Sequence, residues 1–422
     1  MTKTGESPYR TIDIENLRFD QGAHLLIKHA LTSIAVGERI AVRGRDPELA
    51  VHLRGWCRAQ GHDFTLPDAQ SKTESKTGDA HSTGASPLMA YVTRGGALTG
   101  RWRNAERAGL ADVTAQGAVL DHPSATWGLA ARGATVEAGG PRFLFTLSSK
   151  DEIWADGVPR LYAQAAAAQW DPATAINWDE PFELPSEVEA AVVQVMTYLI
   201  ENENAALLVP AKFLAQLHPH FREVMQLLAI QVADEARHVE VFTRRATLRG
   251  GELGLSTVSG QASLKTLLDE PDFTLASFLL SVLGEGTFLN LLWFLEAHAP
   301  DPVTRRVAQL AAQDEARHVA FGVGHLQYHI SRDPSVRSRL AAAINRRYDA
   351  LSQTADLNEE VFDALVLLAA GSWQPAAIAE GFAKVQRLKV EMDNGRRARL
   401  AKLGFSADEA AALSSLHTRN FM

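Results

Sequence analysis

The hexapeptide DEARHV stands at residues 234–239 and again at residues 314–319. In each copy a glutamate and a histidine lie three apart, Glu235 with His238 and Glu315 with His318. On an α-helix that spacing sets carboxylate and imidazole side by side on one face, near enough to hold one ion. A single Glu-x-x-His is weak evidence, because any exposed helix can contain one. The weight comes from a partner acid upstream of each copy. Glu285 precedes Glu315 by 30 residues and shares a helix face with Phe278, Val282, Phe288, Leu289 and Leu292. An ionised acid in such a stripe is costly unless it is paired or metal-bound. The first copy has two candidates on nearly opposite sides of one helix. Glu203 falls in line with Met196, Leu199, Ile200 and Leu207, whereas Glu201 falls with Gln194, Thr197 and Asn204. Glu203 precedes Pro219 by 16 residues and Glu285 precedes Pro300 by 15, and this matching phase selects Glu203.

The four segments that carry these groups, 186–217, 221–248, 264–297 and 302–330, are long and periodic, and their breaks contain His-Pro-His, Gly-Gly and Ala-Pro-Asp-Pro. Two hairpins of long helices predict a four-helix bundle with its polar ligands turned inward. Glu203, Glu235, His238, Glu285, Glu315 and His318 then form a carboxylate-bridged dinuclear site. Four carboxylates balance two divalent ions, which leaves a neutral cluster fit for a dry interior. Hard oxygen ligands with imidazole suit iron or manganese, so two Fe ions, or one Mn and one Fe, are the expected cofactors. Asp234 and Asp314 each lie four residues before a histidine and are candidates to accept its remaining N–H. Whether each serves its own histidine or the opposite one is open.

The rest of the chain bounds this reading. A length of 422 residues predicts two or three domains, and a hydrophobic share of 46% supplies a large core. A formal charge of −8 argues against nucleic acid, and the lone Cys57 suits a reducing, cytoplasmic setting without disulfides. Residues 279–295 approach membrane-span length but carry Glu285, so a buried core helix is expected there and no membrane partner. Residues 1–95 read as a small α/β sandwich. Strands are predicted in YRTIDIEN, GERIAVRG, HDFTL and LMAYVTRG, with helices over 22–31 and 47–60 and a flexible insertion at about 67–87. Residues 96–160 are a connector or small subdomain, 161–335 the bundle, and 336–422 further helices at about 335–355 and 358–402 plus a short terminal one. The fold class expected is therefore α+β multidomain.

Two resemblances follow. The stretch GERIAVRGRDPELAVHLRGWCRAQGHDF resembles the TusA-like sulfur-carrier fold, but Phe19 and Asp20 stand near the place of that family's carrier cysteine. Sulfur relay is therefore not expected, and a docking, regulatory or structural module is. Residues from about 162 to 329 resemble the ferritin-like non-haem diiron carboxylate superfamily, with 161–179 loosely similar to the lead-in helix of ribonucleotide reductase small subunits and their oxidase relatives. Phe242 occupies the place of those subunits' radical tyrosine, and Ala311 that of the extra histidine of arylamine N-oxygenases, so neither specialised activity is expected. His325 is expected to be a hydrogen-bonding histidine. The resemblance implies an O2-dependent oxygenase or oxidase acting on a small organic substrate. A ferroxidase or a metal-poor scaffold are the alternatives. Small residues beside the acids, Ala205, Ala206, Gly284 and Gly286, make room for O2 or substrate or serve tight packing. The chain has no cysteine cluster and no dinucleotide fingerprint, so a separate electron-donor protein is expected, and a homodimer is left open.

Overall fold

The computed structural model describes residues 9–67, 87–352 and 359–416, and most of the insertion at 67–87 falls outside them. The chain divides into two compact units, Met1–Ala105 and Glu106–Met422. Residues 96–105 thus group with the first unit, and residues 106–160, set apart in the sequence reading, group with the bundle.

In the first unit, β1 (Arg10–Asp13), α1 (Ala23–Thr32), β2 (Arg39–Gly44), α2 (Leu49–Gln60), β3 (Asp63–Thr65) and β4 (Leu88–Thr93) follow in order. The sheet order is β1-β2-β4-β3, parallel between β1 and β2 and antiparallel elsewhere, with Ile12 opposite Val42 and Val42 opposite Ala90. A parallel pair needs a crossover, and α1 supplies it. Its buried residues Ala23, Ile27, Ala30 and Leu31 repeat with helical period, as do Leu49, Leu53 and Cys57 on α2, and together they cover one sheet face. Gly61, at φ +70°, ends α2 in the left-handed conformation that glycine adopts without a Cβ penalty. The Cys57 thiol is fully buried and burial pushes its pKa up to about 12, so it is no nucleophile.

The second unit opens with loops around a two-stranded ribbon, β5 (Glu106–Arg107) and β6 (Thr135–Val136). They are pinned to the bundle by a buried fork from Arg132 to Glu223, with both Nη–Oε distances 2.6 Å. Helix α3 (Val158–Ala167) packs on two bundle helices, α5 (Arg222–Thr247) and α9 (Pro302–Arg332). The first hairpin is α4 (Ser186–Leu214) with α5. The second is an apolar rod with α9. The rod comprises α7 (Phe273–Ser277), a π-helical segment Phe278–Glu285 and α8 (Gly286–His298). Asp301 caps α9 by accepting from the Thr304 N–H at 2.8 Å, and Pro302 fills the first turn, where no N–H is needed. Arg245 locks this end of the bundle: it donates to Glu189 on α4 at 2.7 Å and to Asp301 at 2.8 Å.

The rod departs from the expected single helix over 264–297. Helix α6 (Val258–Leu268) stops, and Asp269-Glu-Pro-Asp separates it from α7, whose cap is Asp272 accepting from the Leu275 N–H at 2.9 Å. Proline cannot continue a helix, and the capping aspartate restarts one. The rod Phe273–His298 is long and apolar enough to cross a membrane, and 89% of its apolar window is buried inside the protein. After α10 (Val336–Ser352), the expected helix over 358–402 is two: α11 (Glu359–Ala370) and α12 (Pro375–Lys402), bent by 119° where Gly371 and Pro375 interrupt the ladder. They pack against α4 and α8, and α13 (Ala407–Ser415) packs on α12.

Candidate metal centre

Glu203 comes from α4, Glu235 and His238 from α5, Glu285 from the end of the π segment, and Glu315 and His318 from α9. All six are buried, although carboxylates are rarely so without partners. Glu201 stays partly exposed and outside the cluster, as the helix phase predicts. Two overlapping ligand sets result, Glu203, Glu235, His238 and Glu315 on one side and Glu235, Glu285, Glu315 and His318 on the other. In each, one ligand atom per residue lies within 4.8 Å of all the others. Glu235 and Glu315 belong to both sets, as bridging carboxylates would.

The histidines face the centre with Nδ1. His238 Nδ1 lies 3.0 Å from Glu235, 3.5 Å from Glu315 and 3.7 Å from Glu203. His318 Nδ1 lies 3.0 Å from Glu235 Oε1, yet neither atom makes an aligned hydrogen bond. Glu285 Oε2 and Glu315 Oε2 also lack hydrogen-bond partners. Buried polar atoms are almost always satisfied, so lone pairs converging unpartnered on one point have the donor chemistry of a metal site. The cluster is suited to two metal ions with mixed oxygen and imidazole ligation.

Outside the six, the wiring is crosswise. His238 Nε2 faces Asp314 Oδ2 at 3.2 Å, and His318 Nε2 faces Asp234 Oδ2 at 3.2 Å. Each aspartate serves the histidine of the other repeat, because α5 and α9 run alongside one another with the two motifs at one level. Both aspartates are held by residues that the sequence reading passed over. Arg237 donates to Asp314 at 3.0 Å and also binds Asp234, while Arg317 binds Asp314. Gln169 donates to Asp234 at 2.9 Å and the Trp170 indole donates to Asp314 at 2.8 Å. The arginines were within reach of the sequence, as the fourth letter of each DEARHV pairs three residues back to the aspartate. Gln169 and Trp170 follow the end of α3 and have no periodic signal. Gln231, one turn before Glu235, donates to Glu285 Oε1 at 2.8 Å.

Electrostatics in the metal-free cluster mark the demand for positive charge. Burial, then the neighbouring Glu235, pushes Glu203 well above the carboxylate range; burial and Glu315 do the same to Glu285. Burial works against charge on His238 and His318, but surrounding carboxylates outweigh it and hold both well above an ordinary imidazole. Burial also opposes charge on Glu235, and His318 with His238 overcomes it, keeping that carboxyl below its usual value. Protons occupy places where metal would put charge, so binding ions must release them and affinity rises with pH.

A narrow void of about 20 Å³ adjoins the ligands, lined by Asn202, Glu203, Ala206, Leu267, Leu280, Gly284, Glu285, Phe288 and Glu315. It admits one water-sized molecule. Ala206 and Gly284 thus border open space, whereas Gly286 serves packing: a Cβ there would meet Arg399 Nε at 2.4 Å. Phe242 is buried with its ring 6.1 Å from that of His238, and His325 lies away from the ligands, 3.2 Å from the Trp154 carbonyl.

No protein-family model matches the sequence, and no curated protein matches it. Solved structures do. The chain is similar to variants of an R2-like ligand-binding oxidase, one with an aerobically reconstituted Mn/Fe cofactor at 19% identity and a TM-score of 0.42, covering 61% of this chain and 94% of that one. Another, with an anaerobically reconstituted Mn/Fe cofactor, shows 17% identity and a TM-score of 0.45 over 59% and 94%. A third, with an aerobically reconstituted Fe/Fe cofactor, shows 19% identity and a TM-score of 0.45 over 61% and 94%.

Proposed function

We propose that this protein is a dimetal oxidase or oxygenase that binds two iron ions, or one manganese and one iron, and uses O2 to oxidise a small organic substrate. One observation carries the reading: four buried carboxylates and two Nδ1 atoms converge within shared-ligand distance, several without any hydrogen-bond partner. Glu203 and His238 would hold one ion, Glu285 and His318 the other, with Glu235 and Glu315 between them. Bound in reduced form, such a metal pair supplies electrons to O2.

The protein's own groups do the rest. With ions bound, Asp314 and Asp234 would accept the Nε2 protons of His238 and His318 and so leave each Nδ1 lone pair to the metal. Arg237 and Arg317 set positive charge against both aspartates and hold them in place behind the histidines. Gln231 restrains one oxygen of Glu285 and leaves the other free to turn. Apolar neighbours Leu280, Leu267 and Phe288 keep bulk water from the void beside the ligands. The protein takes its electrons from a separate donor protein, and its setting is cytoplasmic.

Metal analysis tests it. The chain should take up about two ions per copy and then stop, and Glu235→Ala or His318→Ala should each lose at least one. Unchanged metal content in both variants would refute the ligand assignment, and iron uptake continuing far beyond two ions would favour an iron-storage role.

A further inference from the structure

The π segment Phe278–Glu285 ends on Glu285, and its hydrogen bonding is completed from another helix. In an α-helix the Gly286 N–H would donate to the Val282 carbonyl, four residues back. Here it turns toward Leu283 and Gly284, because the wider π turn breaks that ladder. Side chains serve two carbonyls at this exit. The Thr287 hydroxyl donates to Leu283 at 2.6 Å, and Arg399 Nε donates to Val282 at 2.7 Å. Thr287 is local, whereas Arg399 is 117 residues from Val282 and arrives by the packing of α12 on α8.

The guanidinium sits in a slot cleared for it. A Cβ on Gly286 would lie 2.4 Å from Arg399 Nε, and one on Gly395 would lie 3.0 Å from Nη1. A larger residue at Gly286 would push the group out. Nor is Arg399 an ordinary clip between helices. Its neighbours Arg396 and Arg397 face Asp393 at 4.0 and 2.8 Å, but Arg399 makes no ion pair among the described residues. Its buried Nη2 has no hydrogen-bond partner. Burial, and then Arg396, draw its pKa down to about 10, so it remains a charged donor at neutral pH. A buried cation without a carboxylate costs stability. What the fold gains is the winding of the rod next to Glu285.

We propose that Arg399 is a positioning residue for Glu285: by holding the Val282 carbonyl it keeps the π turn open, and the open turn aims the Glu285 carboxylate at the ion it shares with His318. The proposal rests on the dimetal reading. An α-helix advances about 100° per residue, and a segment closed onto the fifth residue advances less. A change of winding between Phe278 and Glu285 therefore swings the carboxylate around the rod axis. Gln231 holds one oxygen of Glu285 and leaves the other without a partner, so the backbone decides where that oxygen points. Glu203 stands on the α-helix α4 and has no such dependence.

The test uses the full chain with Mn2+ as the probe, chelator competition for affinity and electron paramagnetic resonance for coupling between ions. Arg399→Met should weaken one of the two ions about 10- to 100-fold and replace the coupled-pair spectrum with that of an isolated ion. The effect should vanish in a His318→Ala background and persist in a His238→Ala background. Gly286→Ala, which displaces the guanidinium from the facing helix, should give the same pattern. Arg399→Lys, which keeps a charged donor, should restore part of the affinity. Arg396→Met controls for a loosened α12: that side chain donates to Ser414 Oγ at 3.1 Å, and both ions should stay bound. Equal weakening of both ions, the same loss in Arg396→Met, or unchanged binding in Arg399→Met and Gly286→Ala would overturn the assignment. Should Arg399→Met not fold, Arg399→Lys and Gly286→Ala carry the test, and failure of all three to fold would make Arg399 a packing residue. A wild-type chain that binds no Mn2+ would remove the dimetal reading and this proposal with it. Two ions held equally in the wild type and every Arg399 variant would remove the proposal alone.

Discussion

Asp314→Asn is the perturbation that most directly probes the crosswise wiring. The substitution keeps the volume of a buried side chain but removes the charge that faces His238 Nε2 at 3.2 Å. It also weakens acceptors for the Trp170 indole and Arg237, at 2.8 and 3.0 Å. Loss of a partner behind a ligating histidine typically weakens metal binding about 10- to 100-fold, roughly 1.4 to 2.8 kcal/mol. The structure specifies which ion suffers. Asp314 opens the second motif in sequence, yet it should act through the first histidine. A double-mutant cycle reads this out by competitive chelator titration. In a His238→Ala background, Asp314→Asn should have little further effect, because the histidine that it orients is gone. In a His318→Ala background it should retain its full effect, and Asp234→Asn should give the mirror result. Asp314→Asn coupled to His318 and additive with His238 would refute the crosswise assignment.

Two further outcomes follow from the packing and the buried histidines. Gly322 lets α9 approach the π segment, and a Cβ there would sit 2.6 Å from Ser281 Cβ, so Gly322→Ala should cost about 1–3 kcal/mol in chemical denaturation. An unchanged midpoint would show that the two helices separate freely. Burial draws His220 and His325 down to about 4. At these two positions the unfolded chain binds more protons between about pH 4 and 6.5, so their contribution to stability falls as pH drops through that window. His238 and His318 act in the opposite direction in the metal-free protein. His325→Phe removes one of the first two contributions and should shift the pH dependence of melting toward greater relative stability at low pH; an unchanged pH dependence in that variant would remove His325 from the account.

The π segment is the feature of the second hairpin that spacing along the chain does not show. A regular α-helix through 264–297 places Glu285 on an apolar face, and the acid is buried among the residues named from that face. What the pattern could not register is that Phe278–Glu285 winds with a wider turn. There the Val282 carbonyl accepts from Arg399 on α12 at 2.7 Å. Hydrophobic periodicity measures which side is buried, not how the ladder of hydrogen bonds is closed, and Arg399 is 117 residues from Val282. The break before Phe273 falls at Pro271 and Asp272, inside the run 264–297 that its apolar periodicity presents as one helix.

From the chain's letters alone came three of the four long helices, the two Glu-x-x-His pairs and the choice of Glu203 over Glu201, because each is a matter of spacing along one helix. A period of 3.6 residues turns such spacing directly into a shared face. Contacts between helices carry no such record. That Asp234 answers His318 and that Gln169 and Trp170 close over the aspartates depend on which helices come to lie beside which. Folding alone decided those, since they join residues far apart in sequence through distances of a few ångströms that no local pattern encodes.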